Sequence, residues 1–261
     1  MNTVRPKKGL GQHFLTDRNI ARNIVGSLSL ENYRSVLEIG PGMGILTGLL
    51  LEIGDIEARF VEIDLSSVEY LQTHFPGIND KIIIADALEL DFNTIFATPY
   101  AVIGNFPYNI SSQLFFRILA ARHQVIEVVC MLQKEVAERI ASPPGSRDYG
   151  ILSVFMQAYY HIEYLFTVPP QVFNPPPKVQ SAVIRLKRNE LLQLPCNEIL
   201  FTKVVKTAFN QRRKMLRNSL KSILPADCLH PLLQKRPEQL GVEEFIILTH
   251  LAGNRLPEAV S

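Results

Sequence analysis

The chain has 261 residues and a formal net charge of only +2, enough for one large domain or for an ordinary domain with a small addition. Its first residues, MNTVRPKKGLGQ, are polar and basic, and no run of about 18 uncharged apolar residues follows. The three cysteines and six histidines show none of the usual metal-ligand spacings. We therefore expect a soluble, cytoplasmic protein with reduced thiols and no metal.

Short apolar runs rich in β-branched residues alternate with helix-length segments through the first two thirds of the chain. These runs are SVLEIG, ARFVEID, KIIIADAL, YAVIGNFP and VIEVVCMLQ. The pattern is typical of a parallel sheet covered by helices on both faces. Two later runs, HIEYLFTV and SAVIRLKR, are joined by a proline-rich segment without room for a helix, so they predict a terminal antiparallel hairpin in an α/β fold.

After residue 189 the apolar residues follow the helical period, and prolines divide the segment into short helices. We therefore predict two domains, an α/β domain over residues 1–189 and a small all-α domain over residues 190–261.

A glycine-rich turn joins the first apolar run to a helix in VLEIGPGMGILTGLL. Gly40, Gly42 and Gly44 let the backbone approach a ligand, and the following helix presents free N–H groups. The third glycine comes one residue too early for the dinucleotide motif G-x-G-x-x-G, and no phosphate-loop lysine is present. A dehydrogenase is therefore disfavoured, whereas a purely structural turn stays possible.

Acidic residues end the next two apolar runs. Glu62 lies about 20 residues after the glycines, where a carboxylate can accept ribose hydroxyls, and Asp64 suits a helix N-cap. Asp86 ends the third run, where it can accept from the exocyclic amine of an adenine. Each carboxylate alone is compatible with a cap or a solvated loop. Together they predict a site for a ligand that contains adenosine.

The segments GLGQHFL, VLEIGPGMGILT, VEID, ADAL, GNFPYNIS, VPPQVFNPPPKVQSAVIRL and AFNQRRKMLRNSL occur in this order. Together they resemble the rRNA adenine N6,N6-dimethyltransferases, and most of all the small-subunit branch of that family. The resemblance covers nearly the whole chain. It implies a class I S-adenosylmethionine-dependent methyltransferase with a Rossmann-like, seven-stranded sheet. Its substrate would be two adjacent adenosines near the 3′ end of small-subunit rRNA, methylated during ribosome biogenesis by a monomeric enzyme.

The resemblance also assigns roles to single residues. The residues expected to bind the cofactor S-adenosylmethionine are Gln12, His13 and Leu15 at its methionine end, Gly40 and Gly42 at the turn, Glu62 at the ribose, Asp86 at the adenine, and Asn105 where cofactor and target meet. At two positions this sequence differs from the residue that is most frequent in the family. His13 stands where asparagine is frequent, although histidine can still donate to the methionine carboxylate. Phe106 stands where leucine is frequent, and it is expected to act through its backbone.

The segment GNFPYNIS contains no acid, general base or nucleophile, and amine methylation requires none. If the Asn105 side-chain oxygen and the Phe106 carbonyl accept the two N6 hydrogens of adenine, positioning and fixed dipoles supply the catalysis. Pro107 would hold that carbonyl toward the pocket, and Tyr108 would stack on the adenine. Phe173, between prolines, is either a core residue or, as the family pattern suggests, a second aromatic wall around the unstacked base.

Basic residues gather on one predicted helical segment of the tail, and we expect four of them to contact rRNA phosphates: Arg212, Arg213, Lys214 and Arg217. Arg5, Lys7 and Lys8 would extend this surface. A solvated charged face is the alternative. Arg212 falls inside the apolar stripe of the helix, which indicates either a break near FNQRR or an arginine directed at a partner.

Two other functions stay open on sequence grounds. A large-subunit rRNA adenine N6-methyltransferase of the macrolide-resistance type would use the same residues, although the proline-rich segment and the basic tail favour the small subunit. A non-catalytic RNA-binding or transcription-related relative would not need intact Asn105, Tyr108, Glu62 and Asp86.

Overall fold

The computed structural model describes residues 4–253. The strands within this range are β1 (Phe14–Leu15), β2 (Ser35–Ile39), β3 (Glu57–Glu62), β4 (Ile82–Ile84), β5 (Tyr100–Asn105), β6 (Val125–Gln133), β7 (Tyr160–Val168), β8 (Phe173–Asn174) and β9 (Ser181–Arg188). The α-helices within it are α1 (Arg18–Val25), α2 (Ile45–Leu51), α3 (Leu65–His74), α4 (Ser111–Ala120), α5 (Lys134–Ala141), α6 (Ile151–Gln157), α7 (Glu198–Asn210), α8 (Leu216–Ser219) and α9 (Val242–Gly253). None of these helices is long and apolar enough to cross a membrane.

Seven strands form one sheet in the order β4-β3-β2-β5-β6-β9-β7. The pairs β2–β3, β2–β5, β3–β4 and β5–β6 are parallel. Strand β9 runs antiparallel to β6, with Met131 opposite Val183, and β7 lies beside β9 at the edge. The predicted α/β fold is therefore confirmed, because continuous apolar runs formed strands that are buried between covering layers.

The order of the strands places a crevice at the carboxyl ends of β2 and β5. From β2 the chain continues to β3 on one side, whereas β5 and β6 extend the sheet on the other. Such a reversal of strand order separates the loops that follow the two strands and leaves room for a ligand. The glycine-rich turn follows β2, and the segment from Asn105 to Tyr108 begins at the last residue of β5.

A second, two-stranded sheet joins the N-terminal segment to the proline-rich segment. β1 and β8 are antiparallel, with Phe14 opposite Asn174 and Leu15 opposite Phe173. Leu15 and Phe173 are both buried and belong to one hydrophobic core cluster. The N-terminal segment is thus fastened by core packing as well as by backbone pairing.

Contacts divide the described chain into two compact units. The first comprises the residues up to Ala137 and His161–Arg188, and the second comprises Glu138–Tyr160 and the described residues from Asn189 onward. The predicted domains, 1–189 and 190–261, differ from this division because residues 138–160 group with the helical tail. Residues 1–3 and 254–261, the outer ends of those domains, lie outside the described residues.

The helical unit has its own aromatic core. Phe209 of α7 stacks on Phe245 of α9 with ring centroids 5.9 Å apart, and Phe155 of α6 lies 6.2 Å from Phe201. The side chain of Asn197 caps α7 by accepting from the Leu200 N–H. The helix ends at Asn210, and residues 211–215 are not helical. The basic segment is therefore interrupted near FNQRR, which was one of the two predicted explanations for Arg212.

Candidate active site

One pocket of about 200 Å³ lies at the carboxyl ends of β2, β3 and β5. All the predicted cofactor-binding residues except Leu15 line it, and so do all the predicted catalytic residues except Phe173. The pocket thus brings together residues from five separate segments of the sequence: 10–14, 39–42, 61–63, 85–87 and 105–110.

The glycine-rich turn is shaped by the N-terminal segment. Gly40 and Gly42 have φ values of 69° and 56°, a region in which side chains are strained. A Cβ on Gly42 would lie 2.8 Å from the Phe14 ring. Glycine is therefore required here for two reasons, the backbone conformation and the close approach of an aromatic ring that also lines the pocket.

Glu62, at the end of β3, is buried and held by three backbone N–H groups. Its Oε2 accepts from Gly42 at 3.0 Å, and its Oε1 accepts from Ile63 at 3.0 Å and Asp64 at 2.9 Å. Burial raises the pKa of Glu62, and the N–H donors offset part of that rise. A carboxylate offers about four acceptor positions, so Oε2 retains capacity for one further donor beside the turn.

Asp64 has two tasks, of which the sequence predicted one. It caps α3 by accepting from the Ser66 N–H, which confirms the predicted N-cap. It also accepts from Lys7 Nζ at 2.5 Å and from Gln12 Nε2 at 3.0 Å, while the Lys7 N–H donates to Gln12 Oε1. Burial would raise the pKa of Asp64, but the hydrogen bonds from Lys7 and Gln12 outweigh it and lower the pKa. Lys7 therefore fastens the N-terminal segment instead of standing free on the surface.

Asp86 follows β4 and closes the same side of the pocket. Its Oδ1 accepts from the Leu88 N–H at 2.8 Å. This local bond holds the carboxylate in place, and Asp86 and its neighbours Ala85 and Ala87 all line the pocket. The arrangement suits a donor such as an exocyclic amine, because an ionised carboxylate only accepts hydrogen bonds.

Asn105 lies at the end of β5, opposite the carboxylates. Its Nδ2 donates to the main-chain carbonyl of His13 at 2.8 Å. With the amide nitrogen engaged, the Oδ1 atom is the group of this side chain that can accept from a ligand. Phe106 follows with its side chain fully buried against Phe115, 5.9 Å away, so its main chain is what it offers to the pocket.

Tyr108 is held at its hydroxyl and on one face. The hydroxyl lies 2.5 Å from Ser181 Oγ, and the His13 ring stacks on the phenol ring with centroids 5.4 Å apart and an interplanar angle of 29°. Burial raises the pKa of Tyr108, which keeps the phenol neutral near neutral pH. A base can therefore stack only on the face opposite His13.

Leu15 and Phe173 do not line this pocket within the described residues. Leu15 borders a smaller adjacent cavity that also includes Glu38 and Asn105. Phe173 is buried with 4% of its surface exposed. Of the two alternatives that the sequence left for Phe173, the structure places it in the core, because its pairing with Leu15 draws it beneath the N-terminal segment.

Glu38 is a buried carboxyl group behind the pocket. It is 1% exposed and accepts from Thr47 Oγ1 at 2.7 Å. Burial raises its pKa to about 8, and the nearby charge of Glu62 adds to the rise.

Within residues 4–253 no group of three or more histidine, cysteine, aspartate or glutamate side chains is arranged to hold a metal ion.

The predicted RNA-binding residues lie in the helical unit and differ in exposure. Arg213, Lys214 and Arg217 are exposed. The Arg212 guanidinium instead donates to the main-chain carbonyl of Arg147, and it lies 4.0 Å from the Glu238 carboxylate. Arg212 therefore has partners within its own unit, and its contact with RNA stays a prediction.

Ser181 contacts Tyr108, and the carbonyl of Pro175 contacts the ring of His13. The sequence pattern singles out neither residue. Ser181 opens β9 opposite Gln133, the last residue of β6. Because β9 is antiparallel, its start lies at the edge of the sheet where the parallel strands end. The predicted hairpin was thus the signal that could have placed Ser181 beside Tyr108.

The sheet order separates this protein from parallel dinucleotide-binding folds. The antiparallel strand β9 lies between β6 and β7, the carboxylate of Glu62 ends β3, and that of Asp86 follows β4. This is the architecture of the class I S-adenosylmethionine-dependent methyltransferases.

Comparison with known proteins narrows the class. A sequence model of the family described as "Ribosomal RNA adenine dimethylase" matches residues 3–240. A Parabacteroides distasonis protein named ribosomal RNA small subunit methyltransferase A is 53% identical over 259 residues, which cover 98% of this chain and 97% of that protein. A Flavobacterium johnsoniae protein of the same name is 56% identical over 252 residues, covering 95% and 96%.

Solved structures agree in fold. A dimethyladenosine transferase from Plasmodium falciparum superposes with a TM-score of 0.76 at 24% identity, over 92% of this chain and 98% of that one. The 23S rRNA methyltransferase ErmE superposes with a TM-score of 0.69 at 26% identity, over 90% and 99%. The chain belongs to the ribosomal RNA adenine dimethylase family, and the family resemblance found in the sequence is confirmed.

Proposed function

We propose that the protein dimethylates N6 of two adjacent adenosines near the 3′ end of small-subunit rRNA, with S-adenosylmethionine as methyl donor. The observation that carries this proposal is that a single pocket brings the strand-end carboxylates Glu62 and Asp86 together with the segment from Asn105 to Tyr108. The names of the relatives support the small subunit as the substrate, and the step belongs to ribosome biogenesis.

The pocket fits an adenosine-containing methyl donor. Glu62 Oε2 would accept a ribose hydroxyl, Asp86 would accept from the adenine amine, and Gly40 and Gly42 would allow close approach at the turn. S-adenosylmethionine supplies an electrophilic methyl group on a sulfonium centre. Gln12 and His13 line the same pocket, and the amide of Gln12 is already bonded to Asp64 and Lys7, which fits a role in closing the pocket.

The target amine would be held by acceptors rather than deprotonated in advance. The Asn105 Oδ1 atom and the Phe106 carbonyl would accept the two N6 hydrogens, which turns the nitrogen lone pair toward the methyl group. The Asn105 amide nitrogen is fixed by the His13 carbonyl, so its oxygen is oriented before the substrate arrives. The new N–C bond would form as the S–C bond to the methyl group breaks, with S-adenosylhomocysteine as the leaving group. The positively charged nitrogen would then lose a proton to water, so no general base is required.

Tyr108 would provide the stacking surface for the target base. Its ring is fixed by His13 and Ser181, and one face is left for an adenine. Aromatic stacking of this kind compensates for taking the base out of its helix. Because Phe173 is buried in the core, we propose Tyr108 as the stacking residue.

The exposed basic residues of the tail would hold rRNA phosphates. Arg213, Lys214 and Arg217 carry their charges toward solvent, and phosphate contacts of this type orient a large substrate without reading its sequence. We propose that the enzyme acts on the small ribosomal subunit as a monomer in the cytoplasm.

The proposed substrate is tested by direct labelling. The protein is incubated with radiolabelled S-adenosylmethionine and unmethylated small subunits, large subunits or naked rRNA, and the modified nucleotides are mapped, with the Asn105→Ala variant as control. We expect label only in two adjacent adenosines of small-subunit rRNA. Label confined to large-subunit RNA would instead establish the macrolide-resistance type of activity, and absence of label from every RNA would indicate a non-catalytic relative.

A further inference from the structure

His13 stands where the small antiparallel ladder ends. The register of β1 and β8 pairs Phe14 with Asn174 and Leu15 with Phe173, so the next residues to face each other are His13 and Pro175. Proline has no N–H to donate, and the ladder stops there. The side chain of His13 takes over the role of a donor, with Nδ1 lying 2.8 Å from the Pro175 carbonyl oxygen. Because a carbonyl only accepts, Nδ1 must carry the hydrogen.

The same residue touches both groups that are proposed to hold the target base. Its ring stacks on Tyr108, and its main-chain carbonyl accepts from Asn105 Nδ2 at 2.8 Å. Its Nδ1 is bonded to the proline-rich segment. Thus one ring nitrogen, one ring face and the carbonyl of His13 are all engaged away from the carboxylate side of the pocket, where the cofactor is proposed to bind.

We propose that His13 is a positioning residue for the target base. Its ring, anchored on the Pro175 carbonyl, fixes the Tyr108 phenol from one face, while Ser181 fixes the phenol hydroxyl from its end. This inference depends on the proposed function, and it differs from the cofactor contact that the family resemblance implies for this position. A base stacked on Tyr108 then meets a ring that cannot tilt, and a target held a fraction of an ångström more accurately reacts faster.

Two single substitutions separate the parts of this arrangement. His13→Asn keeps a side-chain donor for the Pro175 carbonyl but removes the aromatic ring, whereas His13→Phe keeps the ring and removes the donor. Both leave the main-chain carbonyl that holds Asn105. We expect the turnover number at saturating cofactor and subunits to fall about 3- to 10-fold in His13→Asn, the range for loss of one aromatic pair. His13→Phe keeps the ring but loses its anchor on the Pro175 carbonyl, so its turnover number should lie between those of His13→Asn and the wild type. Both losses should persist at saturating S-adenosylmethionine.

The opposite pattern would overturn the proposal. If calorimetry shows at least tenfold weaker S-adenosylmethionine binding in both variants while turnover at saturating cofactor is normal, His13 is a cofactor ligand. Equal losses of turnover in the two variants would show that the ring stack on Tyr108 does not matter.

A measurement without turnover keeps this inference separate from the proposed function. In protein labelled with ¹³C-histidine, the His13 ring signal is assigned by its disappearance in His13→Asn. Replacing Tyr108 by leucine removes a ring current from the stacked face, so the His13 signal should shift in Tyr108→Leu, whereas Tyr70→Leu, which removes the ring that stacks on His74, should leave it in place. An unmoved His13 signal in Tyr108→Leu would refute the stack, whatever substrate the enzyme proves to use.

Discussion

The two sides of the pocket are held in place by different kinds of contact. On the carboxylate side, Glu62 is fixed by backbone N–H groups of its own loop and of the glycine-rich turn, and Asp86 by the N–H two residues later. On the target side, Asn105 and Tyr108 are fixed by His13 and Ser181, which come from distant parts of the chain. The carboxylate side is thus built locally, whereas the target side exists only when separate segments meet.

This difference indicates that the two sides can be altered independently. Contacts made by backbone groups of a sheet edge survive most side-chain changes, because the strands hold them. Contacts made by side chains of other segments depend on those segments staying closed over the pocket. We therefore expect substitutions on the carboxylate side to change cofactor affinity and substitutions on the target side to change turnover.

The largest effect is expected at Asn105, the centre of the target side. Asn105→Ala should lower turnover by at least about 100-fold, as for loss of an oriented transition-state acceptor, with cofactor binding weakened but measurable by calorimetry. Asn105→Asp keeps an acceptor oxygen and loses the donor to the His13 carbonyl, so its turnover should lie between those of Asn105→Ala and the wild type. Near-normal turnover of Asn105→Ala at saturating cofactor would remove this residue from the mechanism.

Glu62 is the corresponding test of the carboxylate side. Glu62→Ala should weaken S-adenosylmethionine binding by about 1–3 kcal/mol, because a charged acceptor is removed, and RNA binding without cofactor should hardly change. Glu62→Gln keeps one acceptor oxygen for the Gly42 N–H or the ligand and should lose less affinity. Unaltered cofactor affinity in a folded Glu62→Ala protein would contradict the ribose contact, and a purely catalytic defect would break the division between the two sides.

The same division explains how much of the site the sequence could predict. Glu62 and Asp86 lie at or just after the ends of apolar strand runs, and their contacts lie one or two residues away or at the turn that follows the neighbouring strand β2. The N-cap bond of Asp64 to Ser66 is equally local. Strand periodicity and turn chemistry therefore place them directly. The carboxyl ends of β2 and β5 were predictable for the same reason, because apolar runs of the right length predict the strands of the sheet.

The rest depends on how distant segments fold back on each other. The hydrogen bond between Tyr108 and Ser181 joins residues 73 positions apart, and that between Lys7 and Asp64 joins residues 57 positions apart. Local sequence periodicity does not predict such pairs. Phe173 sits in a proline-rich segment whose sequence suits an exposed wall as well as a core residue, and its pairing with Leu15 decides for the core. Residues 138–160 group with the helical unit although nothing in their composition distinguishes them from the α/β region.

Glu38 tests the electrostatics beneath the carboxylate side. Its pKa is raised from 4.5 to about 8 by burial, so between these values the folded protein binds a proton that the unfolded chain releases. The free energy of unfolding should therefore fall as pH rises through this window, by up to about 1.4 kcal/mol per pH unit. Below pH 4.5 both states are protonated and the slope vanishes.

The measurement is urea unfolding at several pH values between about 5 and 8, the window in which the two states differ in protonation. Glu38→Gln keeps an acceptor for Thr47 and does not titrate, so its stability relative to the wild type should improve steadily with pH over this range. Glu69→Gln, which changes an exposed glutamate of α3, is the control and should show no such trend. Parallel pH curves for Glu38→Gln and the wild type would mean that this carboxyl group is ionised in the folded protein.

The smallest effect on the pocket is expected from the basic tail, which belongs to neither side. Replacing Arg213, Lys214 and Arg217 by alanine removes exposed charges and leaves the lining of the pocket intact. If these residues hold rRNA phosphates, the slope of log affinity for small subunits against log salt concentration should flatten by about one unit for each phosphate interaction that is removed, and S-adenosylmethionine affinity should stay unchanged. Lys203→Ala with Lys206→Ala, on the exposed surface of α7, controls for a general reduction of positive charge. A triple variant with the wild-type salt slope and normal methylation of subunits would show that this face is only solvated. If the double lysine variant flattens the salt slope equally per charge removed, attraction to RNA is not localised at residues 213–217.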